Sequence, residues 1–389
     1  MKKRAARPKK MRLLISAGGT GGGVYPALAV SKALQTADGQ RQIAEKSPTV
    51  HHPLSAILWL GSRTGLEAEL VPREGVPFRA IHAAGVHGVA WQKLPANALN
   101  LGRGFFDSLK IVREFRPDVL LVTGGFLAVP AALACWLLRV PVLIYLPDLE
   151  PAQALKFVSS LAAKVCVTAE PSRQYFPAHK VVVTGYPVRA ELTQATRAQA
   201  VEHFGLDPAR KTILVTGGSR GARSLNRAVF ASLADWLPEF QVIHLSGALD
   251  WPEAEAARQA LPAELQPLYH AQPFLHEMGL ALAAADLVVS RAGASAMGEY
   301  PLFSLPAVLA PYPYAWRYQK VNADYLVARG AAVRVNDEEL SVKLKATVRD
   351  LLKDEARLSR MRQAAAAAAQ PDAARRIAQE LVTLAGART

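Results

Sequence analysis

The stretch "RLLISAGGTGGGVYPALA", residues 12–29, decides the fold class: an apolar run, five glycines among the six positions Gly18–Gly23, then a helix-forming sequence at once. An apolar run without polar alternation reads as a strand covered on both faces. Glycines after such a strand strip the turn of side chains, so the unpaired N–H groups that open the next helix can meet an anion. Strand, glycine turn and helix in this order form the opening unit of a parallel α/β sheet.

Outward from that unit the same pattern repeats. "AILWLG", "FRAIHA", "DVLLVTG", "VPVLIYL", "KVCVTA" and "KVVVTG" are short β-rich runs with helical segments between them. After "GYPVRAEL", residues 185–192, the series restarts with "TILVTGGSRGARSLNRAV" and continues through "FQVIHLSG", "LYHAQPF", "DLVVSRAGASAMGEY", "LPAVLAPYP" and "AAVRV". Two matched Rossmann-like α/β domains facing a cleft are the expected architecture. The divisions are a basic tail at 1–10, a first domain at 11–186, a second at 187–365 and a terminal helix at 366–389. A chain of 389 residues with 51% hydrophobic content supports two cores of this size.

The net charge is +14, of which "MKKRAARPKK" supplies six, leaving a basic body. Such a surface suits a phosphorylated ligand, an anionic lipid or a nucleic acid. No helix-turn-helix or RNA-recognition pattern supports the last, so no nucleic-acid partner is expected. The apolar run Phe126–Leu146 is interrupted by Pro130, Arg139 and Pro141 and reads as helix plus strand rather than a membrane span. Cys135 and Cys166 lie in apolar strings and read as buried thiols.

Three strand-turn-helix sites can hold phosphate: "ISAGGTGGGVYPALA", "LVTGGSRGARSLN" and "VVSRAGASAMGEY". None has the glycine-lysine-serine or -threonine ending of an ATP loop, and no acidic residue closes the strand "AILWLGS", which disfavours a dinucleotide dehydrogenase. Glu299, in the third site, is placed to accept both hydroxyls of a ribose; an ordinary solvated helix glutamate is the competing reading. Arg189 and Ser219 have the reach to meet a diphosphate, and an exposed arginine with no ligand is the alternative.

"GGTGGGVYPALA", "FRPDVLLVTGGF", "VTGYPVR", "VTGGSRGARSLN", "SRAGASAMGE" and "YQKVNA" resemble, in order, the motifs of the MurG-like enzymes of glycosyltransferase family 28, which have the two-domain GT-B fold. The resemblance spans residue 11 to about 335. It implies an inverting transfer of N-acetylglucosamine from UDP-N-acetylglucosamine to an undecaprenyl-diphosphate-linked muramyl pentapeptide, at the cytoplasmic face of the cell membrane, with no metal and no cofactor. It further implies that Phe274, Leu275 and Met278 line the uracil and that Glu299 holds the ribose. Arg189, Ser219 and the turn after Arg291, with Ala294 and Ser295, would meet the diphosphate, and Gln319 the sugar. Thr20, Gly21, Gly22 and the Gly23 position would face the acceptor and the reacting atoms.

Two departures fall on the acceptor side. The family's Gly-Gly-Thr-Gly-Gly-His ends here in Gly23, and its His-Glu-Gln-Asn is here Tyr145, Leu146, Pro147 and Asp148. An inverting transfer needs a group to take the proton of the attacking hydroxyl, which glycine cannot do. Asp148, at the ligand end of "VPVLIYL", is the candidate base; the competing role is a helix N-cap in "PDLEPAQAL". Two other functions stay open: a paralogue serving another lipid or cell-wall acceptor, and a UDP-sugar-binding protein with feeble catalysis. An anionic membrane surface is the expected partner of residues 94–115, through Phe105, Phe106, Leu109 and Ile111 among Arg103, Lys110 and Arg113. A core-facing amphipathic helix is the alternative there.

Overall fold

The computed structural model describes residues 11–19, 21–36, 54–83, 92, 94–218, 221–314 and 318–387. The basic tail, Thr20 and Ser219 lie outside them. The chain divides between Val188 and Arg189, and from Pro371 it rejoins the first unit.

The first unit is a seven-stranded parallel sheet, β1 Met11–Ser16, β2 Leu54–Gly61, β3 Phe78–Ala80, β4 Val119–Val122, β5 Val142–Leu146, β6 Lys164–Val167 and β7 Val181–Val183, in the order β3-β2-β1-β4-β5-β6-β7. The central strands β4 and β5 are buried along their whole length, whereas the edge strand β3 is largely exposed. That gradient is why the central runs are uniformly apolar. The helices Leu94–Phe115, Ala128–Leu137 and Gln153–Leu161 pack in turn against one another. The run Phe126–Leu146 is the helix Ala128–Leu137 followed by β5, parted by Arg139 in the left-handed region (φ 56°). No helix among the described residues is long and apolar enough to cross a membrane.

The second unit carries β8 Thr212–Thr216, β9 Gln241–Leu245, β10 Tyr269–Gln272, β11 Leu287–Ser290, β12 Ala307–Leu309 and β13 Ala332–Arg334, all parallel, in the order β10-β9-β8-β11-β12-β13. Each sheet therefore runs third, second, first, fourth, fifth, sixth, the Rossmann order, and the first adds one more strand. In each, the strand order reverses beside the first strand, between β1 and β4 and between β8 and β11. All three glycine turns anticipated from the sequence leave strands β1, β8 and β11, at those reversals.

The helix-rich end is shared between the units. Helices Leu340–Lys353 and Glu355–Ala368 belong to the second. Pro371 then stops helical continuation, since proline lacks the N–H and restrains the residue before it. The helix Ala373–Gly386 lies on the helix Gly21–Gln35 and on β4 in the first unit, burying Ile377, Ala378, Leu381 and Val382. Cys135 and Cys166 are both buried free thiols, and burial pushes the Cys166 thiol up.

Candidate active site

In the first unit the turn begins directly after β1. Gly19 adopts φ 92°, which L side chains rarely adopt, and the helix Gly21–Gln35 opens two residues later. Gly21 and Gly22 are partly exposed in its first turn, and Gly23 is buried. The Gly23 carbonyl accepts the Thr123 hydroxyl at 2.8 Å. A Cβ at Gly23 would stand 3.3 Å from that same oxygen, so the position is closely packed rather than vacant. The turn after β4 comes up against it: a Cβ on Gly125 would lie 3.0 Å from the Gly18 carbonyl.

Beyond β5 the departure from the family motif has a packing explanation. Tyr145 is fully buried; its hydroxyl is 2.8 Å from the Thr168 hydroxyl, and its ring meets Tyr186 edge-on. Thr168 donates to the carbonyls of Leu146 and Pro147 at 3.0 and 2.8 Å. Tyr145 and Leu146 therefore face the core and offer nothing to a ligand. Asp148 is half-buried, two residues past the end of β5. The next helix starts at Gln153 with Ala152 as its N-cap, so Asp148 does not cap it.

In the second unit, the turn after β8 has Gly221 at φ 75°, where a Cβ would stand 2.3 Å from the Ser246 carbonyl, and the helix Arg223–Phe230 follows. The turn after β11 runs through Ala292 and Gly293 into the short helical turn Ala294–Met297. Ala294 is buried and Ser295 half-buried there. Glu299 follows, partly buried, and burial pushes its carboxyl up to about 7, opposed by the Arg189 charge and by a hydrogen bond from Ser295. Arg189, Ser295 and Glu299 are thus brought together beside the β11 turn.

The remaining donor-side candidates line neighbouring strand ends. Phe274, half-exposed, and Leu275, buried, come just after β10, with Met278 opening the next helix. The Phe274 ring meets His276 edge-on at 4.9 Å. Gln319 accepts the Tyr312 N–H at 2.9 Å through its amide oxygen, which leaves its NH2 group directed elsewhere.

Several supporting side chains escaped the sequence reading. Arg291 is turned inward: its guanidinium bonds to Asp337 at 2.6 Å, the Ala310 carbonyl at 3.0 Å and the Ser224 hydroxyl at 2.7 Å. Ser224 belongs to the helix after the β8 turn, so Arg291 ties two turns together. Asn322, fully buried, donates to the Ala292 carbonyl at 3.1 Å. Behind the β8 turn, Asn226 donates to the Ser246 carbonyl and to Asp250. Its amide oxygen must then accept from His244 Nε2 at 3.0 Å, which leaves Nδ1 to accept from the Tyr269 hydroxyl at 2.8 Å. Burial holds His244 down to about 3, so it is a neutral strut. Only burial would have marked these residues, and a lone sequence does not display it.

Two Rossmann-type units in one chain, each with glycine turns at its strand-order reversal, make up the GT-B fold. The N-terminal domain model of glycosyltransferase family 28 matches residues 13–167, its C-terminal domain model matches residues 212–377, and the chain belongs to this family. It is 40% identical, over 96% of its length and 95% of the relative's, to the UDP-N-acetylglucosamine--N-acetylmuramyl-(pentapeptide) pyrophosphoryl-undecaprenol N-acetylglucosamine transferase of Roseiflexus sp. (strain RS-1). To the protein of the same description from Desulforudis audaxviator it is 37% identical, over 97% and 100% of the two chains. Among solved structures it is similar to MurG of Acinetobacter baumannii, with TM-score 0.70, 25% identity and coverage of 96% of this chain and 99% of that one.

Proposed function

We propose that this chain transfers N-acetylglucosamine from UDP-N-acetylglucosamine to an undecaprenyl-diphosphate-linked muramyl pentapeptide, the activity its relatives' descriptions carry. The observation that supports it most is the donor side of the second unit, where Arg189, Ser295 and Glu299 gather at the β11 turn in a chain alike to those enzymes from end to end. Phe274, Leu275 and Met278 take the uracil, Glu299 accepts the ribose hydroxyls, and Gln319 offers its NH2 to the sugar. Arg189, Ser219 and the N–H groups around Ala294 and Ser295 hold the diphosphate.

In the reaction the acceptor hydroxyl oxygen bonds to the sugar's C1 while the C1–O bond to UDP breaks, with inversion. Asp148 takes the proton, and negative charge builds on departing UDP. Arg189 and the turn N–H groups meet that charge, so no metal enters the step. Turnover should persist in excess EDTA; a loss reversed by magnesium overturns the metal-free reading. The Gly21–Gly23 backbone of the first unit holds the acceptor diphosphate.

A panel of UDP-sugars against the muramyl-pentapeptide lipid tests the function. Transfer from UDP-N-acetylglucosamine above the other donors is expected, and no transfer from any donor overturns it.

The proposed seat is peripheral, on an anionic membrane surface, with a contact within residues 94–115 narrower than the sequence suggests. Leu109 and Ile111 are buried in the core and Phe105 packs against it, so three of the four expected membrane residues face the sheet. Phe106, 68% exposed, shares the outer face with Arg103, Lys110 and Arg113, at offsets of three, four and seven residues along the helix. Trp136 and Leu137 on the next helix, and Phe157 on the one after, are each more than half exposed. Exposed apolar side chains on three helices packed in turn, with cations on the first of them, suit an anionic lipid surface. Flotation with anionic but not neutral vesicles, weakened by Phe106→Ser with Trp136→Ser, is the expected result; equal flotation on both vesicle types overturns it.

A further inference from the structure

Under the first glycine turn lies a carboxylate that the proposed transfer does not use. Glu67 opens the helix Glu67–Arg73 and is fully buried. Its Oε2 accepts the Gly19 N–H at 3.0 Å, and its Oε1 accepts the Ser62 N–H at 2.9 Å and the Ser62 hydroxyl at 2.7 Å. The chain is bare of side chains around it: an added Cβ would come within 2.6 Å of Oε1 at Gly18, 2.2 Å of Oε2 at Gly65 and 2.6 Å of Cγ at Gly61. Glu67 lies six residues beyond the end of β2, on the first position of the following helix rather than at the strand end where a dinucleotide-binding fold presents its acid. Here it is shut away from any ligand and spent on the backbone.

We infer that Glu67 is a positioning residue for the acceptor: by fixing Gly19 it holds the turn so that the N–H groups opening the helix Gly21–Gln35 stay aimed at a diphosphate. The inference rests on the acceptor reading above. A turn of consecutive glycines has the most backbone freedom to lose, about 1–2 kcal/mol per residue ordered. Unless the fold orders it beforehand, that cost falls on binding. A buried carboxylate whose donors among the described residues are neutral N–H and O–H groups is itself expensive, and an apolar side chain would stabilise the fold as well. The cost is understandable if what Glu67 supplies is the shape of the turn.

Glu67→Gln tests this, because it keeps size and one accepting oxygen but sets an NH2 group against either the Gly19 N–H or the Ser62 N–H, so the paired support of the turn is lost. With UDP-N-acetylglucosamine saturating and the lipid-linked acceptor varied, the acceptor KM should rise about tenfold or more, the loss of one hydrogen bond to a charged group. The UDP Kd should not change. Gly18→Ala, which crowds the same carboxylate, should give a similar rise, and the double variant should lose no more than the worse single one. An unchanged acceptor KM overturns the inference, as do additive losses, and so does a UDP Kd that weakens in step with KM, the mark of general damage. Should Glu67→Gln not fold, Ser62→Ala carries the test through a smaller rise in the same direction, and no rise overturns it. If the wild-type chain turns over no such acceptor, the functional reading fails and takes this inference with it; normal wild-type kinetics beside an unaltered variant sink the inference alone.

Discussion

The two units place their glycine turns at the same point of the same strand order but equip them differently. In the six-stranded unit the β11 turn is braced from behind by Arg291 and Asn322, and Glu299 with its neighbours Arg189 and Ser295 lies beside it. In the seven-stranded unit the β1 turn is braced by Glu67 and Thr123, Gly23 packs on Thr123, and Tyr145 and Leu146 are sealed in the core. One unit thus offers charged side chains, whereas the other offers chiefly backbone N–H groups and Asp148. Side chains discriminate among bases, riboses and sugars. Backbone N–H groups recognise phosphate of any attachment.

The sharpest way to break this contrast is to remove the one titratable side chain assigned to the first unit's chemistry. Asp148→Asn should lower kcat by about 10²–10⁴, the usual worth of a general base, with UDP affinity unchanged. Rates at saturating donor and acceptor, alongside calorimetry with UDP, check it. Wild-type turnover in the variant removes Asp148 from the reaction.

On the other side, Glu299→Gln should weaken UDP binding about tenfold to a hundredfold, since in the proposed site the ionised carboxylate accepts two hydroxyls and the amide oxygen only part of that donation. Calorimetry with UDP reads this directly, and uridine should lose as much. If uridine binding is untouched while UDP binding falls, the residue serves the diphosphate instead.

The same carboxyl gives the donor side a pH signature. With its carboxyl near 7, Glu299 is mostly ionised at pH 8 and mostly protonated at pH 6, so UDP affinity should fall about tenfold across that span. For the unliganded unit the sign is opposite: its ordinary value is 4.5, so between 4.5 and about 7 the folded state holds more protons than the unfolded one. The stability from this group is complete below 4.5 and lost as pH rises through about 7. UDP titrations at both pH values, with Glu299→Gln as the flat control, test the binding arm.

The strands and their turns were legible because a sheet covered on both faces needs uninterrupted apolar runs, and "DVLLVTG" or "TILVTGG" satisfies nothing else. Glu299 was read from its spacing after a turn and Arg189 from the stretch "GYPVR", and both lie beside the β11 turn. Glu67 was not legible, because the turn it holds lies 48 residues earlier in the chain and no periodicity links them. Arg291 was read only as the edge of a turn, since a sequence does not say that a guanidinium points inward to Asp337. The helix Leu94–Phe115 shows the reverse fault: its apolar residues were seen, but the choice between sheet and membrane is made by the neighbours that cover Leu109 and Ile111.

Gly23→His makes the smallest change and asks whether the first unit has room for the family's imidazole. Replacing glycine inside a helix gains about 0.5–1 kcal/mol. The new Cβ meets the Thr123 hydroxyl oxygen at 3.3 Å, and overpacking of this kind costs about 1–3 kcal/mol. The net expectation is a loss of about 1 kcal/mol, read as a modest fall in Tm. With Asp148 already taking the proton, kcat should stay within a few-fold of wild type. A rise of about tenfold or more would mean that proton removal limits this chain and that an imidazole relieves it. The contrast between the units would then lie in one missing side chain, and the Asp148 assignment would fall with it.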